Sequence, residues 1–349
     1  MRKQGIKRSA QQLVVVTSLG FAAAVMTPQP ALSDEGGVSF WIPGFFGSLA
    51  AAPQQPGWSV ATIYYHTSVS AGGDIAFARQ VTRGRLTANF TGNLAAELDA
   101  DADLALLFPN YVFARKILGG QLAVGLLGIA GRNEASVDAT LTGLGPLGLS
   151  ISRGRSDAVT GFGDLIPLAS LRWNRGTSNY MTYITGDIPV GNYNANRLAN
   201  LGLGHGALDG GFGYTYFDPK TGNEFSAVLG ATYNFENQHT DYQNGIDMHL
   251  DWAASKFLTK QWQVGVVGYV YQQVTGDHGS GDRVGSFESR VIGVGPQVGY
   301  VFPLGDQQGY LNLKGYKEFA AEHRPDGWNV WLTFVISPAA PKAMERPMK

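Results

Sequence analysis

Asp247, His249 and Asp251 occupy alternate positions in one segment, and on a strand that spacing puts all three side chains on one face. A carboxylate beside an imidazole can orient it for proton transfer. Two carboxylates with an imidazole can also hold a cation. His239 and Asp241 repeat the pairing in a polar stretch. The other histidines, His66, His205, His278 and His323, are scattered. There is no HExxH, no CxxC, no P-loop and no GxSxG in a strand–turn–helix setting. Alternation alone places polar residues at every second position, so the trio is read as part of a plain polar lumen wall. No catalytic residue, no cofactor and no metal site is assigned.

The alternating polar positions extend well beyond this trio. Glu97, Asp99, Asp101 and Asp103 follow one another at every second residue, and Asp164, Glu224, Glu236 and Glu318 hold similar positions elsewhere. Arg172, Arg290 and Lys314 are their basic counterparts. All of these, with Asp247, His249 and Asp251, are expected to line an interior or its mouth. Unpaired acids along a water path would favour cations. Acids paired across a closed interior would stiffen it instead. The 97–103 stretch could also hold calcium or divalent ions that bridge lipid.

Such faces need long two-sided strands. Between Arg85 and Leu106 the even positions are all apolar or glycine, and the odd positions are polar in all but two cases. That is a ribbon with an oily side and an acidic side. Strands in soluble proteins usually run about 5–6 residues. The wall of an outer-membrane barrel offers an apolar medium on one side and water on the other. About 9–11 residues suffice to cross it, which puts the acidic 97–103 stretch at or beyond the rim.

Alternation and turn clusters divide the chain into twelve strands, near 58–70, 83–114, 120–141, 160–173, 178–190, 209–217, 222–236, 245–257, 261–275, 285–302, 309–320 and 327–337. Connections after even-numbered strands are short, and most of those after odd-numbered strands are long and polar, as in bacterial barrels. The fold class is all-β: a transmembrane antiparallel up-and-down β-barrel of about 12 strands over residues 58–337. Trp58, Trp173, Trp252, Trp262, Tyr300, Phe302, Tyr310 and Trp328 lie near strand ends, where interfacial girdles are expected. Pro109 and Pro167 are expected at bulges or outside the bilayer.

Residues 1–33 read as a cleaved signal peptide, with basic Arg2, Lys3, Lys7 and Arg8, an apolar run over 13–26, and Ala31-Leu32-Ser33 before Asp34. Residues 34–57 are rich in Gly, Pro and Ala and carry Trp41, Phe45 and Phe46. They form either a periplasmic extension or a plug in the barrel mouth. Residues 338–349 are a C-terminal tail. No apolar run after residue 33 approaches a helical membrane span. Charged residues make up only 15% of the chain, which fits a surface half turned to lipid. There is no cysteine, and a net charge of −1 gives no basis for nucleic-acid binding.

An ordered set of motifs adds a family resemblance. It runs from Glu35-Gly36-Gly37-Val38-Ser39-Phe40 with Pro43-Gly44, through Pro56-Gly57-Trp58, Leu118-Gly119-Gly120, Gly163-Asp164-Leu165, Thr185-Gly186-Asp187-Ile188-Pro189-Val190-Gly191-Asn192-Tyr193 and Asn200-Leu201-Gly202. Tyr233-Asn234, Gly268-Tyr269, Tyr271-Gln272-Gln273 and Ile292-Gly293-Val294-Gly295-Pro296-Gln297-Val298-Gly299-Tyr300 complete it. This set resembles the outer-membrane transporter family of the meta-pathway of phenol degradation. The resemblance covers about 34–336 and implies uptake of small, aromatic or hydrophobic compounds by a passive channel, not an enzyme. Outer-membrane lipid and lipopolysaccharide, small-molecule solutes and the barrel assembly machinery are the expected partners. A closed structural or surface-binding barrel, and a membrane-embedded hydrolase, are the alternatives.

Overall fold

Each two-sided segment pairs with its neighbours in sequence, and the pairing closes on itself. The structure is a computed structural model that describes residues 39–72, 93–144, 149–282 and 288–340. The signal peptide, residues 34–38, the start of the long ribbon at 85–92 and the tail from 341 lie outside the described residues. The strands are β1 (Gly57–Gly72), β2 (Asn93–Ile117), β3 (Gly120–Leu144), β4 (Leu149–Arg175), β5 (Ser178–Asp187), β6 (Ala207–Asp218), β7 (Asn223–Asn234), β8 (Asp247–Phe257), β9 (Trp262–Gln273), β10 (Arg290–Leu304), β11 (Gln307–Glu322) and β12 (Asp326–Pro338). They form one closed antiparallel barrel in which β1 pairs with β12, Tyr64 lying opposite Leu332.

Tight turns gather at one end, where Gly119, Gly176 and Gly305 take positive φ values of 75°, 68° and 62°. Longer connections, including 188–206 and 235–246, gather at the other. The expected strands are all found. Much of the expected loop at 141–159 is strand, because β3 and β4 continue their ladder from Asn133↔Val159 to Thr142↔Ser150. Pro167 lies close to a register shift between Gly128 and Ala130. Pro109 is not at a bulge; it stays in register opposite Val60, and the β2–β3 ladder passes over it.

Inside and outside follow the expected alternation in β7 and β8. Glu224, Ser226, Thr232, Asp247, His249 and Asp251 are buried, while Phe225, Leu229, Tyr233 and Met248 are exposed. Tyr310 departs from the expected girdle, since it turns inward and donates to Gln263 at 2.9 Å.

In β2 the two sides are the reverse of the expectation. Leu98 and Leu106 are buried, and Glu97, Asp99, Asp101 and Asp103 stand exposed on the outer surface. The reason is the connection 188–206, which folds back against the inner face. Leu198 and Ala199 pack there with Leu98, Ala135, Val137 and Val159. Burying such aliphatic side chains contributes about 1.5–3 kcal/mol each, so the apolar face turns to this loop and the acids turn to water. Arg197 anchors the loop to Asp157 at 2.9 Å, and the amides of Leu198 and Ala199 donate to the same carboxylate. The Arg197 guanidinium holds the Asp157 carboxyl well below the usual carboxylate range.

Candidate functional site

The interior has a polar half and an apolar half. From β6 to β11 the inward residues include Asp209, Thr215, Glu224, Asp251, Gln263 and Lys314; from β2 to β4 they include Leu106, Phe108, Leu127 and Ile166. Residues 39–56 lie between these halves. Their backbone has no ladder partner of its own, so buried amides and carbonyls must be met by wall side chains. Asp251 accepts the amides of Gly44 at 2.9 Å and Phe46 at 3.0 Å. Glu224 accepts the Leu49 amide and the Ser48 hydroxyl, both at 2.9 Å. Lys314 donates to the Gly44 carbonyl, Arg172 to that of Ala50, and the Ala51 amide donates to Thr215. Gly44 permits this path: its φ is +88°, and a Cβ would lie 3.0 Å from the Tyr316 ring.

The expected trio does share one face, but its members have separate partners. His249 pairs through Nε2 with Asp209 of β6 at 2.9 Å, and its ring lies under Trp41. Asp247 accepts from Asn234 at 2.8 Å, and Asp251 serves the inner segment. His239 faces the Tyr193 ring at 5.7 Å, and among the described residues no hydrogen bond joins it to Asp241. Asp164 turns inward and holds the 188–206 loop, accepting the amides of Gly191 at 2.6 Å and Leu203 at 2.7 Å. Glu318 accepts the Tyr269 hydroxyl at 2.7 Å and the Gly327 amide at 2.9 Å.

Five of the residues expected to line the interior or its mouth lie elsewhere. Glu97, Asp99, Asp101 and Asp103 are on the outer face for the reason given above. Asp103 there meets the Tyr64 hydroxyl at 2.5 Å and His66 at 2.8 Å. Arg290 is even-numbered in a strand whose odd positions, such as Val291, are buried, so it points outward and pairs with Glu322. Glu236 lies exposed beyond the end of β7, in the 235–246 connection at the long-loop end. Asp209 and Thr215 were missed although the odd positions of β6 oppose Leu208, Phe212 and Tyr216; Gly211 and Gly213 blur that alternation.

Two cavities meet at the inner segment. The larger, of about 200 Å³, opens toward the long-loop end, with Trp41 and Ile42 in its floor, Tyr65 and Leu104 in its wall, and Arg324 at its side. The smaller, of about 20 Å³, lies between Phe40, Trp41 and Phe45 and the apolar wall residues Phe108, Leu127 and Ile166. Trp41 and Ile42 border both. Trp41 and Ile42 therefore stand between the two cavities.

The family described as "Putative MetA-pathway of phenol degradation" matches residues 83–334. The chain belongs to this family. Among solved structures it is similar to an outer membrane channel from Pseudomonas putida F1, at 15% identity and a TM-score of 0.59, covering 85% of this chain and 99% of that one. It is also matched by a Pseudomonas aeruginosa FadL homologue, at 12% identity and a TM-score of 0.39, covering 88% and 97%. The first likeness shows the fold alone. No curated protein matches the chain.

Proposed function

We propose that this barrel spans the bacterial outer membrane and lets small apolar solutes, aromatic ones included, pass down their gradient. The observation that carries the reading is the pair of cavities sharing Trp41 and Ile42 on the apolar side of the interior. An apolar solute gains little from the polar half, where Asp251, Glu224 and Lys314 are already engaged by the inner segment. Along Phe108, Leu127 and Ile166 it finds apolar contact, and only the Trp41 region must yield.

The outer surface supports a membrane setting. Val60, Leu107, Val264, Leu311 and Leu332 are exposed and apolar, while Trp58 and Trp328 stand near opposite ends of the band. Trp328 lies opposite Ser68. At about 3.3 Å per residue and a tilt of about 40°, the run from Trp58 to Ser68 rises roughly 25 Å, the height of an outer-membrane apolar band. A cleaved signal peptide at 1–33 would deliver the chain to that membrane. The family's description as a pathway of phenol degradation agrees with aromatic solutes.

Uptake of radiolabelled toluate by a deletion strain carrying the wild-type chain or an empty vector tests the proposal. Faster uptake with the wild-type chain is expected; equal uptake removes the channel reading.

A further inference from the structure

The tight-turn end of the barrel carries a run of exposed cations. Arg115 and Lys116 lie beside the β2–β3 turn, Arg175 at the β4–β5 turn, Lys220 in the β6–β7 turn, and Lys256 and Lys260 about the β8–β9 turn. Among the described residues none of these is in an ion pair, whereas Arg132, Arg197 and Arg290 toward the long-loop end each pair with a carboxylate. Lys256 donates to the neutral Asn223 side chain at 2.8 Å. Apart from the buried Glu224, the carboxylates at this end among the described residues are Asp218 and Asp306. Asp218 is taken up by the Lys220 amide and the Thr221 hydroxyl, each at 2.9 Å.

These cations stand among exposed apolar side chains. Leu118 follows Arg115 and Lys116 and is 85% exposed, and Leu258, between Lys256 and Lys260, is 62% exposed. Trp58, opposite Tyr111, and Trp262 are exposed at the same end, and the Trp173 indole donates to the Leu118 carbonyl at 3.1 Å. Aromatic rings beside snorkelling lysines and arginines mark the level where acyl chains give way to headgroups. The cations also follow successive turns round the rim instead of gathering in one flat patch. A globular partner would reach one side of such an arc; a lipid leaflet meets all of it. We infer that the rim from β2 to β9 is a docking surface for the headgroups of anionic phospholipid in the surrounding leaflet. Each cation near an anionic leaflet adds attraction, which salt screens. The β10–β11 turn, with Asp306, lies outside the arc. The inference rests on the membrane setting proposed above.

The test is native mass spectrometry of the full chain, purified in detergent and given equal amounts of phosphatidylglycerol and phosphatidylethanolamine with matched acyl chains. Phosphatidylglycerol is expected to be retained at least about fivefold more, the factor that one surface cation supplies against an anionic leaflet. The preference should shrink as the ammonium acetate concentration is raised. A variant combining Arg115→Gln, Lys116→Gln, Arg175→Gln and Lys260→Gln is expected to retain the two lipids nearly equally. Arg132→Gln, at the other end, should keep the wild-type preference. A preference that survives in the fourfold variant overturns the inference, because the headgroups then bind elsewhere. Equal retention of the two lipids by the wild-type chain overturns it whether or not a variant folds, and leaves an acidic protein as the counterpart of the arc. Equal retention removes this inference alone, whereas retention of neither lipid removes the membrane setting with it.

Discussion

The indole of Trp41 lies flat on the imidazole of His249, with ring centroids 3.7 Å apart and planes 11° from parallel. The stack joins the inner segment to the barrel wall on its polar side, where Asp209 holds the imidazole from the other edge at 2.9 Å. The same residue also borders both cavities. One residue therefore anchors the segment and stands between the two cavities.

Trp41→Ala is expected to weaken that anchor and open the partition together. Truncating a buried tryptophan costs about 3–5 kcal/mol of packing, here drawn from the docking of residues 39–56 rather than from the barrel ladders. Toluate uptake should rise, and limited proteolysis should cut within 39–56 faster, with the barrel itself intact. Slower or unchanged uptake in a variant whose segment has been loosened would show that the path does not run past Trp41.

Asp251→Asn tests the polar side of the same seat. The carboxylate accepts two amides, from Gly44 and Phe46, and a side-chain amide can offer only one oxygen. One buried N–H is left without its acceptor, at a cost of about 1–3 kcal/mol. Hydrogen exchange at Gly44 and Phe46 should accelerate roughly tenfold or more, with Leu49, held by Glu224, less affected. Identical exchange at all three amides would show that Asp251 does not hold the segment.

The twelve strands were readable because alternation and turn residues report local geometry directly. β7 and β8 show this, with Phe225, Leu229 and Tyr233 outside and Asp247, His249 and Asp251 inside. Alternation names two faces without saying which faces in. For β2 that choice was made by Leu198 and Ala199, about a hundred residues later in the chain, and no local pattern announces their return. The same limit applies to the site. His249 could be placed on an inner face, but its partner Asp209 and its cover Trp41 depend on which strands and segments meet in the closed barrel.

The reversed face of β2 makes a prediction of its own. Leu98 is 1% exposed against Val137 and Leu198, whereas Asp101 is on the outer surface. Leu98→Ala should destabilise the packing of the 188–206 loop by about 2–5 kcal/mol, and Asp101→Ala should change it by less than about 0.5 kcal/mol. Protection of the Leu198 and Ala199 amides reads both. A larger loss with Asp101→Ala than with Leu98→Ala would restore the opposite orientation of the ribbon.

The loop that covers this face should also respond to acid, in a narrow range. Arg197 and the amides of Leu198 and Ala199 stabilise the ionised form of Asp157, so its carboxyl is held below its ordinary value in the folded protein. A depressed pKa means that ionised Asp157 favours docking. Its contribution is fully present above the unfolded carboxylate value of about 3.9 and is lost as pH falls through the lower folded value. Protection of the Leu198 and Ala199 amides, corrected for intrinsic exchange, should stay level from pH 8 to about 4 and decline only in stronger acid. Asp157→Asn should show the acid level of protection throughout. A transition near pH 6 in the wild-type chain would point to a histidine rather than Asp157. A flat profile that matches the variant would mean that the carboxylate contributes nothing to holding the loop.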